Sequence, residues 1–73
     1  MSRLPALKPR ELAAALKKAG FAEQRQSGSH LVLRHSDGRE VVVPVHNKEL
    51  KRPTMLGIIR QAGFSPETLR QYL

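Results

Sequence analysis

The chain has 73 residues with no cysteine, and its 13 Lys and Arg against 6 Asp and Glu give a formal net charge of +7 at pH 7. This length predicts one small domain over residues 1–73, with too little volume for a deep, enclosed substrate chamber, and the lack of cysteine excludes disulfides, thiolate metal sites and a cysteine nucleophile. No stretch approaches the roughly 18 to 20 apolar residues of a membrane span, so we expect a soluble cytoplasmic protein.

The first predicted element is an amphipathic helix from Pro9 to Ala19. Proline is favoured at the first position of a helix, and Gly20 is a typical residue to follow the last turn. Apolar residues fall on one stripe of this helix and charged residues on the opposite side. The apolar stripe consists of Leu12, Ala15, Leu16 and Ala19.

Two strands are predicted to follow. The first covers residues 21–26 and directs Phe21 into the core. The second covers residues 30–35, where the residues alternate with the period of a sheet that is packed on one face and more open on the other. The packed face takes Leu31 and Leu33, and the open face takes His30, Val32 and Arg34.

A third strand is predicted from a turn signal. The segment Ser36-Asp37-Gly38 is typical of a tight hairpin, because glycine tolerates the positive φ that such turns require. Residues 39–43 form the partner strand. Pro44 ends this strand because proline has no N–H to donate to a sheet ladder.

A basic connection and two helices complete the chain. Residues 45–52 are polar and basic and are expected to form an exposed loop. Pro53 or Thr54 begins the second helix, which ends before Gly63. Ser65 is a typical N-cap for a short third helix.

This order of elements is α-β-β-β-α with a short C-terminal helix. Because the connections are local, it predicts an α+β fold of two layers, in which a three-stranded antiparallel sheet carries both main helices on one face and leaves the other face open. The expected core residues are Leu12, Leu16, Phe21, Leu31, Leu33, Val41 or Val42, Met55, Ile58, Ile59, Phe64 and Leu69.

The motif that most suggests chemistry is Gly28-Ser29-His30. It places one imidazole at the start of a strand, and histidine acts as a general acid or base near neutral pH. The positive charge of the chain suits a nucleic acid, although it also suits an acidic protein. From the residues alone, a surface histidine without a catalytic role is more common than a catalytic one.

A series of short segments extends this motif along nearly the whole chain. The segments are Lys17-Lys18-Ala19-Gly20-Phe21, Gly28-Ser29-His30, Asp37-Gly38, Val43-Pro44-Val45-His46, Lys48-Glu49-Leu50-Lys51-Arg52 and Thr54-x-x-x-Ile58-Ile59-x-Gln61-Ala62-Gly63. In this order they resemble the HicA toxins of bacterial toxin–antitoxin modules, also described as YcfA-like mRNA interferases. The chain departs from the family pattern at Leu31, where members often carry a second histidine, and in a longer, proline-richer segment before the first helix.

This resemblance implies a fold, an activity and a partner. Members of the family are similar in fold to double-stranded-RNA-binding domains, cleave RNA with the strand histidine and are neutralised by a HicB antitoxin that covers the active region. The resemblance therefore implies that His30 is catalytic, that mRNA is the substrate and that a HicB-type antitoxin is the partner. Three histidines without carboxylate or cysteine neighbours at ligand spacing predict no metal or other cofactor.

Three candidates for RNA binding lie close to His30 in the sequence. Gly28 would let a phosphate approach the backbone, although a turn alone could also require this glycine. Ser29 would orient the substrate or only satisfy the turn. Arg34 shares the strand face of His30, and we expect it close enough to contact a phosphate while the imidazole acts.

Four further candidates lie in the basic loop. His46 is either a second proton carrier or phosphate ligand, or an ordinary solvated histidine. Lys48, Lys51 and Arg52 precede the second helix, where double-stranded-RNA-binding domains bring cations and a helix N-terminus to phosphates. Their alternative is a solvated loop, and His35 is assigned no role.

Two other functions are compatible with the same features. One is a non-catalytic RNA-binding module, which would bind RNA without cutting it. The other is a protein-interaction domain whose positive charge matches an acidic partner. Incubation of RNA with the pure protein in a chelator separates a nuclease, which produces fragments, from a module that only binds.

Overall fold

The computed structural model describes residues 4–46 and 48–73 of the chain. The predicted order of elements is confirmed, and most bounds agree to within a residue or two. The elements are α1 (Pro9–Lys18), β1 (Phe21–Ser27), β2 (His30–His35), β3 (Glu40–Pro44), α2 (Arg52–Gln61) and α3 (Pro66–Arg70). Among the described residues, no helix is long and apolar enough to cross a membrane.

The three strands form an antiparallel sheet in the order β1-β2-β3. The pairing of β2 with β3 is regular, from Arg34 opposite Glu40 to His30 opposite Pro44. The pairing of β1 with β2 is interrupted by an irregularity between Glu23 and Arg25. Together with the helices on one face, this arrangement confirms the predicted α+β fold with an open sheet.

Helices begin and end where the sequence provides suitable residues. Lys8 precedes α1, and its backbone N–H donates to Glu11 Oε1 at 2.8 Å, which satisfies one of the donors at the start of the helix. Ser65 is the N-cap of α3, and its hydroxyl oxygen accepts from the N–H of Thr68 at 3.1 Å. The prediction for Ser65 is therefore confirmed.

The core lies between the sheet and the helices. Alternation along β3 buries Val41 and Val43, whereas Val42 is 43% exposed on the opposite face, so Val41 is the core residue of the predicted pair. Phe64, predicted in the core, is only half-buried and packs against its edge. The buried cluster comprises Leu4, Leu7, Leu12, Ala13, Ala15, Leu16, Phe21, Leu31, Leu33, Val41, Val43, Leu50, Met55, Ile58, Ile59, Ala62 and Leu69.

The open face of the sheet is not uniformly exposed. Val32 is only 5% exposed, although it lies on the face away from the helices and outside the main core. Its neighbours across the strands are Arg25 on β1 and Val42 on β3. Side chains on the outer strands therefore shield the centre of this face, and the exposed positions lie around it.

The prediction of an exposed loop over residues 45–52 is wrong in part. Leu50 is 4% exposed, Val45 packs against the core and Arg52 is already the first residue of α2. The prediction used the average polarity of the loop and so overlooked its single apolar residues, whose burial stabilises the segment. Residue 47 of this loop lies outside the described residues.

Leu50 is buried against residues 4–8, which we call the N-terminal strap. Leu4 and Leu7 of the strap are buried in the same cluster. The N–H of Leu50 donates to the carbonyl oxygen of Leu7 at 2.8 Å, and Arg52 Nη2 donates to the carbonyl oxygen of Leu4 at 2.8 Å. The strap thereby holds the end of the basic loop and the start of α2.

The β2–β3 hairpin is held at the opposite end of the molecule by Arg39. Its guanidinium lies 5.5 Å from the ring centroids of both Phe21 and Phe64, a cation–π geometry. Arg39 Nη1 also donates to the carbonyl oxygen of Ala62 at the end of α2, where a helix favours positive charge. His35 packs edge-on against Phe21 at 5.2 Å, so its role is structural.

Candidate functional site

The Gly28-Ser29-His30 motif forms the turn between β1 and β2. Gly28 and Ser29 are the two central residues, and Ser27 pairs with His30 across the turn. Gly28 has a φ of +57°, as the first central residue of a type II′ hairpin requires. The glycine is therefore explained by turn geometry, and the turn fixes His30 as the first residue of β2.

His30 is exposed on the open face of the sheet. Its cross-strand neighbours are Ser27 on one side and Pro44 on the other. Beyond Pro44, the N–H of Val45 donates to the carbonyl oxygen of Ser29 at 2.6 Å, which ties the turn to the start of the basic loop. The imidazole is therefore open to solvent while the backbone around it is fixed on both sides.

An open groove of about 550 Å³ begins beside this pairing. Three predicted site residues, His46, Lys48 and Lys51, line it together with Pro44. Its other lining residues are Glu49, Leu50 and Thr54. His30 is not part of the lining, but Pro44 is its direct neighbour, and adjacent strands lie about 4.8 Å apart. The groove therefore starts within one strand spacing of His30.

His46 also lines a second groove of about 470 Å³, with Lys8, Arg10 and Glu11. Lys8 and Arg10 are exposed cations at the start of α1. The sequence gives no sign that these residues approach His46, because no periodicity connects residue 10 with residue 46. The structure thus adds two cations to the neighbourhood of the basic loop.

The expected closeness of Arg34 to His30 is wrong. Arg34 is exposed on the same face of β2, but it lies four positions after His30, and four steps along a strand span about 13 Å. Arg34 lies at the other end of the sheet, in a shallow depression with Gly20 and Ser36. The two side chains therefore do not form one compact phosphate site.

Arg52, one of the predicted phosphate-binding cations, is exposed at the first position of α2. Its guanidinium donates to the carbonyl oxygen of Leu4, which engages it in holding the strap. Lys48 and Lys51 are exposed, and Ser29 is exposed beside His30. Among the loop cations, the two lysines line the groove, whereas Arg52 lies outside its lining.

The arrangement combines an open imidazole with the first groove, which starts one strand away. We call it the cationic groove because Lys48 and Lys51 outnumber its one carboxylate, Glu49. Such a surface can bind a polyanion and move a proton at its edge. Across residues 4–46 and 48–73, no three His, Asp or Glu side chains come together in a cluster that could hold a metal ion.

The family model described as HicA toxin of bacterial toxin-antitoxin matches residues 9–64. The matched segment contains the whole sheet, His30 and the cationic groove, and it leaves out the N-terminal strap and α3. No curated protein sequence matches the chain.

Proposed function

The chain belongs to the HicA toxin family and is the toxin of a toxin–antitoxin pair; on this premise we propose that it is a metal-independent endoribonuclease that cuts mRNA. His30 is its catalytic residue. The observation that carries the proposal is the exposed imidazole at the head of β2, fixed by the turn and one strand from a cationic groove, within the matched part of the chain.

RNA cleavage without metal sets a clear chemical requirement. A base removes the proton of the 2′-hydroxyl, an acid protonates the leaving 5′-oxygen, and cations stabilise the charge that grows on the phosphorus. An exposed histidine can carry out either proton transfer. His30 performs one of them, and His46, in the groove that starts at Pro44, is the candidate for phosphate binding or for the second transfer.

The RNA backbone follows the groove in this proposal. Lys48 and Lys51 bind phosphates on one side of the scissile bond, and Gly28 and Ser29 contact the backbone beside His30. Arg34 contacts a phosphate farther along the strand, because about 13 Å separates its position from that of His30. The partner that neutralises the toxin is a HicB-type antitoxin, which covers this region.

The test compares the native chain with His30→Ala. Purified native protein should cut labelled RNA in the presence of EDTA, and its induction in cells should arrest growth. His30→Ala should lose both effects while it keeps the native circular dichroism spectrum and still binds RNA. Lys18→Ala, which removes an exposed cation at the end of α1, is the matched control and should cut normally.

Two outcomes would contradict the proposal. If His30→Ala arrests growth as strongly as the native chain, the catalytic role of His30 is wrong. If the native protein only shifts the RNA and leaves it intact, the chain is a non-catalytic RNA-binding module.

A further inference from the structure

The outer edge of β3 is the most conspicuous unused surface of the sheet. β3 pairs with β2 on one side only, since the strand order ends with it. Two hydrogen bonds bracket its pairing with β2: His35 N–H to the carbonyl oxygen of Arg39 at 2.8 Å, and Val45 N–H to that of Ser29 at 2.6 Å. The register between these two bonds is unbroken.

This register decides which backbone groups point outward. In an antiparallel pair, every second residue directs its N–H and C=O to the partner strand. Arg39 and Val45 are both bonded to the β2 side of the pair, so the residues at every second position between them, Val41 and Val43, also direct their backbone N–H and C=O groups to β2. The backbone N–H and C=O groups of Glu40 and Val42 therefore point away from the sheet. Among the described residues, no hydrogen bond reaches the outward groups of Glu40 or Val42.

The two edges of the sheet differ in how they resist an added strand. β1 carries an irregularity between Glu23 and Arg25, is exposed beyond Phe21 and is polar from Glu23 onward, which are features that block edge-to-edge pairing. β3 has no irregularity, and Val42 offers it an exposed apolar side chain on the open face. Pro44 lacks an N–H, so the row of unpaired backbone groups on the outer edge of β3 ends there. β3 is thus the edge that can accept another strand.

We propose that the outer edge of β3 binds an extended, acidic segment of the antitoxin as a fourth strand of the sheet. The antitoxin is the partner that membership in a toxin–antitoxin family requires. A net charge of +7 opposes pairing between two copies of this chain and favours an acidic partner. The inference rests on the family and not on the proposed nuclease activity.

Strand addition at this edge also accounts for inhibition. An added strand would lie about 4.8 Å from β3 and about 10 Å from β2. Its side chains on the open face would extend over Val42 and Pro44 toward His30, because His30 pairs with Pro44. Binding through the backbone of β3 would therefore close the RNA approach to His30.

Amide hydrogen exchange followed by NMR tests the inference on the native chain, free and in complex with the antitoxin of its own pair. The amides of Glu40 and Val42 should exchange rapidly in the free chain and slow by at least about tenfold in the complex. The amides of Val41 and Val43, which face β2, should be protected in both states. Unchanged exchange at Val42 in the complex would overturn the inference.

A pair of variants separates the backbone from the side chain. Val42→Pro removes the outward N–H at a position equivalent to that of Pro44, and it should weaken antitoxin binding by about tenfold or more. Val42→Thr keeps the N–H and should bind within about threefold of the native chain. Equal binding by Val42→Pro and Val42→Thr would overturn the inference.

Two further measurements identify the occupant and separate this inference from the nuclease proposal. Sedimentation of the free chain should give a monomer, and a dimer abolished by Val42→Pro would show that a second copy occupies the edge instead. In complex with the antitoxin, His30→Ala should show the same protection of the Val42 amide as the native chain, because that amide lies on β3 and not at His30. The binding result is thus independent of whether the native chain cuts RNA.

Discussion

Asp37, in the turn of the β2–β3 hairpin, is the residue whose ionisation the fold changes most clearly. The backbone N–H of Arg39 donates to its carboxylate at 3.0 Å, and the Arg39 guanidinium adds a bond at 2.8 Å. Chiefly through the backbone bond, and then through the hydrogen bond and the charge of the Arg39 guanidinium, the pKa of Asp37 is held below its usual 3.8.

The sign of this shift sets a pH dependence of stability. A carboxyl group whose folded pKa is lowered stabilises the folded chain above its unfolded value of 3.8, and that contribution is lost as the pH falls through the lower folded pKa. In urea unfolding at neutral pH, native protein should therefore be more stable than Asp37→Asn, which keeps an acceptor oxygen without the charge. The difference should shrink below about pH 3.8, and a difference that stays constant down to pH 2.5 would contradict the assignment.

His30 shows how one residue type acquires different roles from its surroundings. It is exposed on the open face, whereas His35, five residues later on β2, packs edge-on against Phe21. The alternation of the strand separates their faces, because residues an odd number apart point in opposite directions. The sequence could thus distinguish the two histidines by face, and the proposed catalytic role falls on the one that solvent reaches.

At the scale of elements, the N-terminal strap is the least expected feature. Its Leu4 and Leu7 are buried, and their carbonyl oxygens accept hydrogen bonds from Arg52 and Leu50, which are distant along the sequence. The family match begins at residue 9, so the strap lies outside the matched region. Its contacts place it directly beneath the loop that carries Lys48 and Lys51.

The strap predicts different effects for two neighbouring cations. Arg52→Ala should lower the free energy of unfolding by about 1–2 kcal/mol, because the part-buried carbonyl of Leu4 loses its donor. Lys51→Ala, at an exposed position beside it, should change that free energy by less than about 0.5 kcal/mol. Urea denaturation of the three proteins checks both values. Equal stability of the two variants would show that Arg52 does not hold the strap.

At the scale of the whole molecule, the charge of +7 is distributed over the folded surface and not confined to a tail. General attraction to RNA follows from this charge, but the proposed site requires that particular cations contact phosphates. Lys48 and Lys51 line the same groove, whereas Lys18 lies at the end of α1. Comparing these positions can therefore separate the contribution of the two groove lysines to RNA binding from the effect of the overall net charge.

The salt dependence of RNA binding makes this separation. Each phosphate contact with single-stranded RNA contributes about 0.7 to the slope of log K against log salt, so Lys48→Ala and Lys51→Ala should each lower the slope by about that amount. Lys18→Ala changes the net charge equally and should leave the slope close to the native value. Fluorescence anisotropy with His30→Ala as the background keeps the RNA intact. Equal slopes for all three lysine variants would show that only net charge matters.

The sequence by itself determined the order of elements, the face of each strand and the residues that resemble the HicA family. These features depend on local signals, such as proline and glycine at helix ends, the turn at Asp37-Gly38 and the two-residue period of β2. Local signals act between residues that are close along the chain, so they could be interpreted without knowing the packing. Local signals also predicted that His30 begins β2 and lies on its exposed face.

Only the tertiary structure decided which distant residues meet. It buried Leu50 against the strap, gave Arg52 a partner at Leu4 and brought Lys8 and Arg10 beside His46. It also left the outer edge of β3 without a partner among the described residues. The physical reason is that these contacts follow from how the helices, the sheet and the strap pack together, and no spacing along the sequence encodes a contact between residue 4 and residue 52.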